Sequence, residues 1–392
     1  MSPNPQTERS AGPRAILADR IFDGRRWFAR SAVLLEGERI RGIEGCGAVP
    51  PEWPRCSLPP DAILAPGFID LQVNGGGGTL LNDLPTAEGM RAIARAHRRF
   101  GTTACLPTLI SDTRERIATA AEAAKSFVGQ DGVLGLHIEG PFINPRRKGV
   151  HRADLIAVPE SADLDLLECL GAIGRSLVTL APECVPAGFI ARLSASGVRV
   201  SVGHSEATAD EIACAVDDGL TGVTHLFNAM PPFAARAPGI IGAALADQRL
   251  VAGMIVDGLH VDPVAIRAAF AAKGAKGVAL VTDAMPSVGS GIACFDLMGR
   301  RINLAAGRLT THDGTLAGAH LDMASAVRNT VNLAGLPLEE ALQAASLTPA
   351  HFLGIEDERG CLRAGAYADL VALTPALEVL ATWAAGEEAW YG

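Results

Sequence analysis

Four residues far apart in the chain share one local setting: Glu139, His204, His225 and Asp283 each close a short apolar run. The runs are Val133 to Glu139, Val198 to His204, Gly222 to His225 and Val278 to Asp283. One glutamate and two histidines are the ligand types of a catalytic divalent-metal site, which takes about three protein ligands and leaves a position open for water. A metal there lowers the pKa of water from about 15.7 towards 7. Asp283, in the matching position on a fourth run, then suits the general base that takes the water's proton and returns it to a departing amine. Any one of these histidines alone reads better as a polar residue capping a strand. Four such residues at four matching strand ends outweigh that reading, because roles in a shared geometry identify a site.

The elements that must position them follow from the same pattern. Eight apolar runs end near Gln72 to Asn74, Thr108, Glu139, Glu183, His204, His225, Asp257 and Asp283. Amphipathic segments separate most of them, including Thr86 to Phe100, Asp112 to Phe127, Thr208 to Asp218 and Pro263 to Lys273. Repeated β-α units of this kind predict a parallel sheet, and eight of them predict a closed (β/α)8 barrel of the TIM type, an α/β fold. In such barrels the chemistry sits at the C-terminal ends of the strands, where these four residues lie. Alternating segments between Ala15 and Glu44, and again between Gly360 and Thr374, predict a small β-sandwich domain. Neither end has enough strands for a stable sheet, so the two ends are expected to share one. The predicted division is 1–64 with 357–392 for the small β domain, and 65–356 for the barrel.

Composition sets outer bounds. Of 392 residues, 48% are hydrophobic and 20% charged, which fits a large buried core. The formal charge of −9 and the lack of a basic stripe argue against a nucleic-acid partner. No apolar stretch reaches the roughly 18 residues of a membrane span, and the polar opening from Met1 to Pro13 lacks the apolar region of a signal peptide, so a cytoplasmic protein is expected. The eight cysteines form no CxxC pair, which points to buried thiols rather than a disulfide frame or a thiolate zinc site. His97 and His312 read as structural, on a helix and in a turn.

Pro66-Gly67-Phe68-Ile69-Asp70, the run His137 to Phe142 (HIEGPF), Gly203-His204-Ser205, the run Thr224 to Met230 (THLFNAM), Asp257-Gly258-Leu259-His260 and Thr282-Asp283-Ala284 together resemble the N-acetylglucosamine-6-phosphate deacetylase branch of the amidohydrolase superfamily. The resemblance runs in order from Leu64 to Leu373. It implies hydrolysis of the acetamide of a sugar phosphate, with Glu139, His204 and His225 as ligands of one divalent metal per subunit and Asp283 as acid and base. Zinc is the favoured metal, with iron, cobalt or manganese compatible with the same ligands. His260 is implied as a substrate ligand, Arg236 with Asn228 and Ala229 as the phosphate grip, and Val150 with His151 as a further substrate contact. The segment Leu316-Ala317-Gly318 takes the place of the loop bordering the acetyl pocket. A homodimer is implied as well. Independently, a guanidinium fork suits bidentate phosphate binding. Other amidohydrolases, such as cyclic-amide hydrolases, have no general need of that grip.

Two places depart from wider patterns. Many amidohydrolases carry His-x-His at the end of the first strand to hold a second metal, but this chain has Gln72-Val73-Asn74. Amides are poor zinc ligands beside imidazole, so one metal is expected, with Gln72 hydrogen-bonding to water or substrate. The glycines 75 to 78 read either as a plain turn or as a place where backbone approaches the site closely. After Gly318 the chain has Ala319-His320-Leu321-Asp322-Met323 in place of small hydroxyl residues, and His320 reads equally as a wall of the acetyl pocket or as the start of a helix. Arg146-Arg147-Lys148 reads either as a solvated cluster or as a local attractor for anions.

Overall fold

The structure, a computed structural model, describes residues 12–390. Residues 1–11 and 391–392, assigned from sequence to the small β domain, lie outside the described residues.

Eight parallel strands form the barrel: Phe68–Val73, Thr102–Ile110, His137–Glu139, Leu177–Leu180, Arg199–Val202, Gly222–Val223, Val251–Met254 and Val278–Leu280. Each pairs with its neighbours in chain order. The ring closes between the first and eighth strands, where the Asp283 N–H donates to Gln72 O at 2.9 Å and the Asn74 N–H donates to Ala284 O at 3.0 Å. The Asp70 carboxylate reinforces the seam, accepting from the backbone N–H of Thr282 and from its hydroxyl. All eight expected strands are there, several ending two or three residues from the expected positions, and the barrel confirms the fold class read from the repeats.

The intervening helices start where capping chemistry says they should. Thr86 and Thr113 cap Ala87–Arg98 and Arg114–Phe127 through their hydroxyls, and Thr208 with Glu211 forms a capping box ahead of Ala209–Asp217. Asp262 caps Pro263–Lys273, whose first residue is the proline favoured there. Asp322 caps Met323–Asn332. Ile, Leu, Val and Ala dominate the core between the strands and these helices.

Both chain ends build the second sheet. Pro13–Phe22, Trp27–Glu36, Arg39–Gly45, Arg55–Ser57 and Ile63–Pro66 join Leu370–Leu373, Val379–Ala384 and Glu387–Trp390 in one mixed sheet of eight strands. The ends meet where Ile63–Pro66 runs antiparallel to Leu370–Leu373. Alternation shows in its cores: Ile16, Val33 and Leu35 pack with Trp383, while Ala15, Ala32 and Leu34 pack on the other side with Val49 and Trp53. A three-stranded antiparallel sheet, Cys294–Leu297, Arg300–Ala305 and Arg308–Thr310, is inserted after the eighth barrel strand. Its apolar side packs on Leu80, Ile110, Met285 and Val150 and thereby walls the mouth of the barrel.

Candidate active site

The C-terminal mouth of the barrel holds a cavity of about 390 Å³. Glu139, His204, His225 and Asp283 all line it, as do Val150, His151, Asn228, Ala229, His260, Leu316 and Gly318. Three predicted residues stand elsewhere. Gln72 is only 2% exposed and lies below the cavity floor. Ala317 is fully buried behind the wall in the cluster with Met285. Arg236 is exposed on the loop after the sixth strand, outside the lining. His320 is exposed, with Nδ1 on the Ser287 hydroxyl at 2.9 Å, and it does not line the cavity.

Glu139 Oε1 stands 3.1 Å from His204 Nε2 and 3.0 Å from His225 Nε2. The two imidazole nitrogens are themselves 3.1 Å apart. Atoms bound to one ion at about 2.0–2.1 Å are expected about 3.0–3.4 Å from one another, so the three donors fit a single small divalent cation. His204 donates through Nδ1 to Arg147 O at 2.8 Å, which turns the lone pair of Nε2 inward, the usual outer support of a ligating histidine. His151 also reaches this centre: Glu139, His151 and His204 each offer a ligand atom within 4.8 Å of the others. His225 Nε2 completes the tighter triangle with Glu139 and His204, while His151 Nδ1 is engaged by the Ser111 hydroxyl at 2.7 Å.

The local backbone is unusual at these points. His204, His225 and Asp283 have φ of 50°, 34° and 49°, the left-handed region that side chains avoid. Ala229 and Phe227 join them at 52° and 78°. Such conformations cost about 1–3 kcal/mol each and gather where the surrounding structure enforces a particular aim.

Charge coupling follows the geometry. Burial alone would raise the Glu139 carboxyl, but the hydrogen bonds and charges of His204 and His225 outweigh it and hold it well below the usual range. Asp283 is pushed up to about 6 by burial and by the charge of Glu139, against the opposing pull of His225 and Asn74. Both protonation states of Asp283 are then accessible near neutral pH, as an acid and base in turn requires. Burial, then the charge of His204, pushes His151 down to about 3, so its ring is neutral.

Gln72 donates through Nε2 to Glu139 Oε2 at 3.1 Å and to Asp283 Oδ1 at 3.2 Å, so one amide spans the two carboxylates where a histidine would invite a second metal. Asn74 Nδ2 adds a 2.6 Å bond to the same Asp283 oxygen. His260 donates through Nδ1 to Asp257 Oδ2 at 2.6 Å, which presents Nε2 to the cavity. Arg146 and Arg147 of the basic run line the cavity, and lining residues to which the sequence reading gave no site role include Asn74, Ile110, Ile255 and Met285. The position of Asn74, two residues past Gln72 on the same strand end, was the available signal.

The amidohydrolase family model matches residues 63–389. The N-acetylgalactosamine-6-phosphate deacetylase of Shewanella sp. (strain ANA-3) is 42% identical over 327 residues, covering 83% of this chain and 82% of that protein. Human N-acetylglucosamine-6-phosphate deacetylase is 40% identical over 345 residues, covering 84% and 83% respectively. The crystal structure of N-acetylglucosamine-6-phosphate deacetylase from Pasteurella multocida superposes with a TM-score of 0.93 at 33% identity, over 97% of this chain and 100% of that one.

Proposed function

Since the chain belongs to the amidohydrolase family, we propose that it hydrolyses the acetamide of N-acetylglucosamine 6-phosphate to glucosamine 6-phosphate and acetate. The observation that carries this reading is the donor triangle of Glu139, His204 and His225 opening on the same cavity as Asp283. Deacetylases of hexosamine 6-phosphates among its relatives supply the substrate class.

Glu139, His204 and His225 would hold one divalent metal, with zinc the first choice for such a donor set. When bound, the ion supplies Lewis acidity and makes water acidic enough to attack at neutral pH. Asp283 takes the proton of the attacking water and passes it to the nitrogen as the C–N bond breaks. The neutral His151 ring sits beside His204, at 4.5 Å between ring centres, and is placed to donate to the carbonyl oxygen as it gains charge. His260, Asn228 and Ala229 bind the sugar phosphate, and Leu316 and Gly318 border the acetyl group. Gln72 serves the substrate indirectly, by bridging the two carboxylates.

Arg236 is the proposed phosphate grip, although it is exposed and does not line the cavity of its own chain. Phe233, 60% exposed on the same loop, and the exposed Leu259 beside His260 support a homodimer in which that loop meets a second subunit. Among the described residues no helix is long and apolar enough to cross a membrane, and a cytoplasmic location is proposed with the division at 1–64 with 357–392 and 65–356.

The relative at 42% identity supports a second reading, in which the galacto epimer is preferred. Comparing kcat/KM for N-acetylglucosamine 6-phosphate, N-acetylgalactosamine 6-phosphate and unphosphorylated N-acetylglucosamine tests both. The gluco phosphate should lead. A lead for the galacto phosphate selects the second reading, and equal rates with and without phosphate contradict both.

A further inference from the structure

The side chain of Asn74 is fully buried, yet it forms part of the cavity wall. Only one end of its amide is used. Nδ2 donates to Asp283 Oδ1, whereas Oδ1 accepts no hydrogen bond from any described group. The orientation is not free, because a carboxylate acts here as acceptor and the nitrogen must face it. Nor is the main chain free. Asn74 N–H donates to Ala284 O and Leu81 N–H donates to Asn74 O, both at 3.0 Å. At Gly75 a Cβ would stand 2.5 Å from Thr79 O and 2.9 Å from Pro286 N, so only glycine lets the chain pass this close to Thr79 and to the segment that follows the eighth strand. His97, buried on the first helix, fixes that glycine from the other side through a 2.9 Å bond from Nε2 to Gly75 O. The structure thus holds a rigid, buried and unpartnered acceptor on a residue that lines the cavity, and such a group calls for a donor.

We propose that Asn74 is a further catalytic residue, whose Oδ1 accepts a hydrogen bond from the N–H of the scissile amide while its Nδ2 holds Asp283. This rests on the deacetylase reading. The N–H is the one donor that a secondary acetamide has at its reacting centre, and its nitrogen must come next to Asp283 to be protonated. Both ends of the Asn74 amide lie on one small plane, so an N–H received at Oδ1 sits directly beside the Asp283 carboxyl. Attack on the carbonyl carbon makes the nitrogen pyramidal. With its N–H committed to Asn74, the emerging lone pair is turned towards Asp283. Asp283 Oδ1 takes both amide donors, from Gln72 and Asn74, which leaves Oδ2 for the proton. The balance closes: water gives its proton to Asp283, its oxygen bonds the acetyl carbon, Asp283 returns the proton to nitrogen, and the C–N electron pair leaves with the amine.

The test uses two tetrahedral phosphorus analogues of the acetylated sugar phosphate that differ only at the linking atom, one with N–H and one with oxygen. Their dissociation constants are measured on zinc-loaded full-length protein and on Asn74→Leu, with Asn74→Ser as the alternative should leucine prevent folding, and metal content is checked in each. The native protein should prefer the N–H analogue by at least about tenfold, since the oxygen analogue sets two acceptors face to face. The variant should bind both with nearly equal affinity at unchanged metal content. Equal binding by the native protein, or a variant that weakens both by the same factor, overturns the role of Asn74. Failure of either analogue to bind the native protein instead strikes at the deacetylase reading.

Discussion

The Nε2 atoms of His204 and His225 face each other at 3.1 Å across the barrel mouth. Since His204 Nδ1 already donates to Arg147 O, its Nε2 brings a lone pair to this contact. Glu139 adds a carboxylate oxygen at the same distance. A divalent cation reconciles three such donors, so His204→Ala and His225→Ala should each purify with well under one metal per chain where the native protein carries about one. His151→Ala should keep its metal and lose turnover. Elemental analysis of the three variants decides the matter: metal loss in His151→Ala with retention in His225→Ala would move the third ligand to His151.

Glu183 should matter without touching either metal or substrate. Its carboxylate accepts from Ser205 Oγ at 2.7 Å, from the Glu206 N–H at 2.6 Å and from Asn144 Nδ2 at 3.0 Å. The Asn144 N–H in turn donates to His204 O at 2.8 Å. Removing this clamp loosens the strained loop that aims His204. Glu183→Ala is expected to weaken metal affinity about 10- to 100-fold in chelator competition, the usual effect of losing outer support. Unchanged affinity would show that the loop holds its shape alone.

Asp70 predicts a pH signature of stability. Burial, against its bonds to Thr282 and Gln72, pushes it up to about 7, whereas an unfolded aspartate titrates near 3.9. The folded state therefore binds the extra proton between these values. Its contribution is fully present below about pH 3.9 and is lost as pH rises through about 7, with an upper limit of ~4 kcal/mol. Asp70→Asn keeps a similar shape without the charge. Urea unfolding should show the native protein losing stability relative to the variant between pH 4 and 8, and parallel curves would refute the assignment.

Arg236→Ala should raise KM for the phosphorylated sugar about tenfold or more while leaving the poor turnover of the unphosphorylated sugar unchanged. An unaltered KM would shift the phosphate grip to Arg146 and Arg147, which line the cavity and pair with Glu206 at 3.0 and 2.7 Å.

The barrel was legible because each strand is a buried apolar run, and the helix starts because Thr86, Thr113, Thr208 and Asp262 are strong caps. The metal and acid candidates were legible because a polar residue ending a buried run has few bland explanations. Other features depend on long-range closure. Nothing local to Asn74 tells that Asp283, 209 positions on, will take one end of its amide and leave the other bare. Gln72 looked like a substrate contact from its place on the strand, but the pleat turns it below the floor, between two carboxylates. Arg236 sits on a loop whose direction is set by tertiary packing, so its exposure could not be read from its neighbours. The three-stranded insert was missed because its alternating strands at Cys294–Leu297, Arg300–Ala305 and Arg308–Thr310 are short and complete their core against distant residues such as Leu80, Ile110 and Met285.

The most direct test is the rate of acetate release from N-acetylglucosamine 6-phosphate by native protein and by Asp283→Asn, each with its metal content measured. Brisk release by the native protein and a fall of about 10²- to 10⁴-fold in a variant that still holds about one metal per chain is the expected result. No release by the metal-loaded native protein, or a near-native rate in the variant, would contradict it.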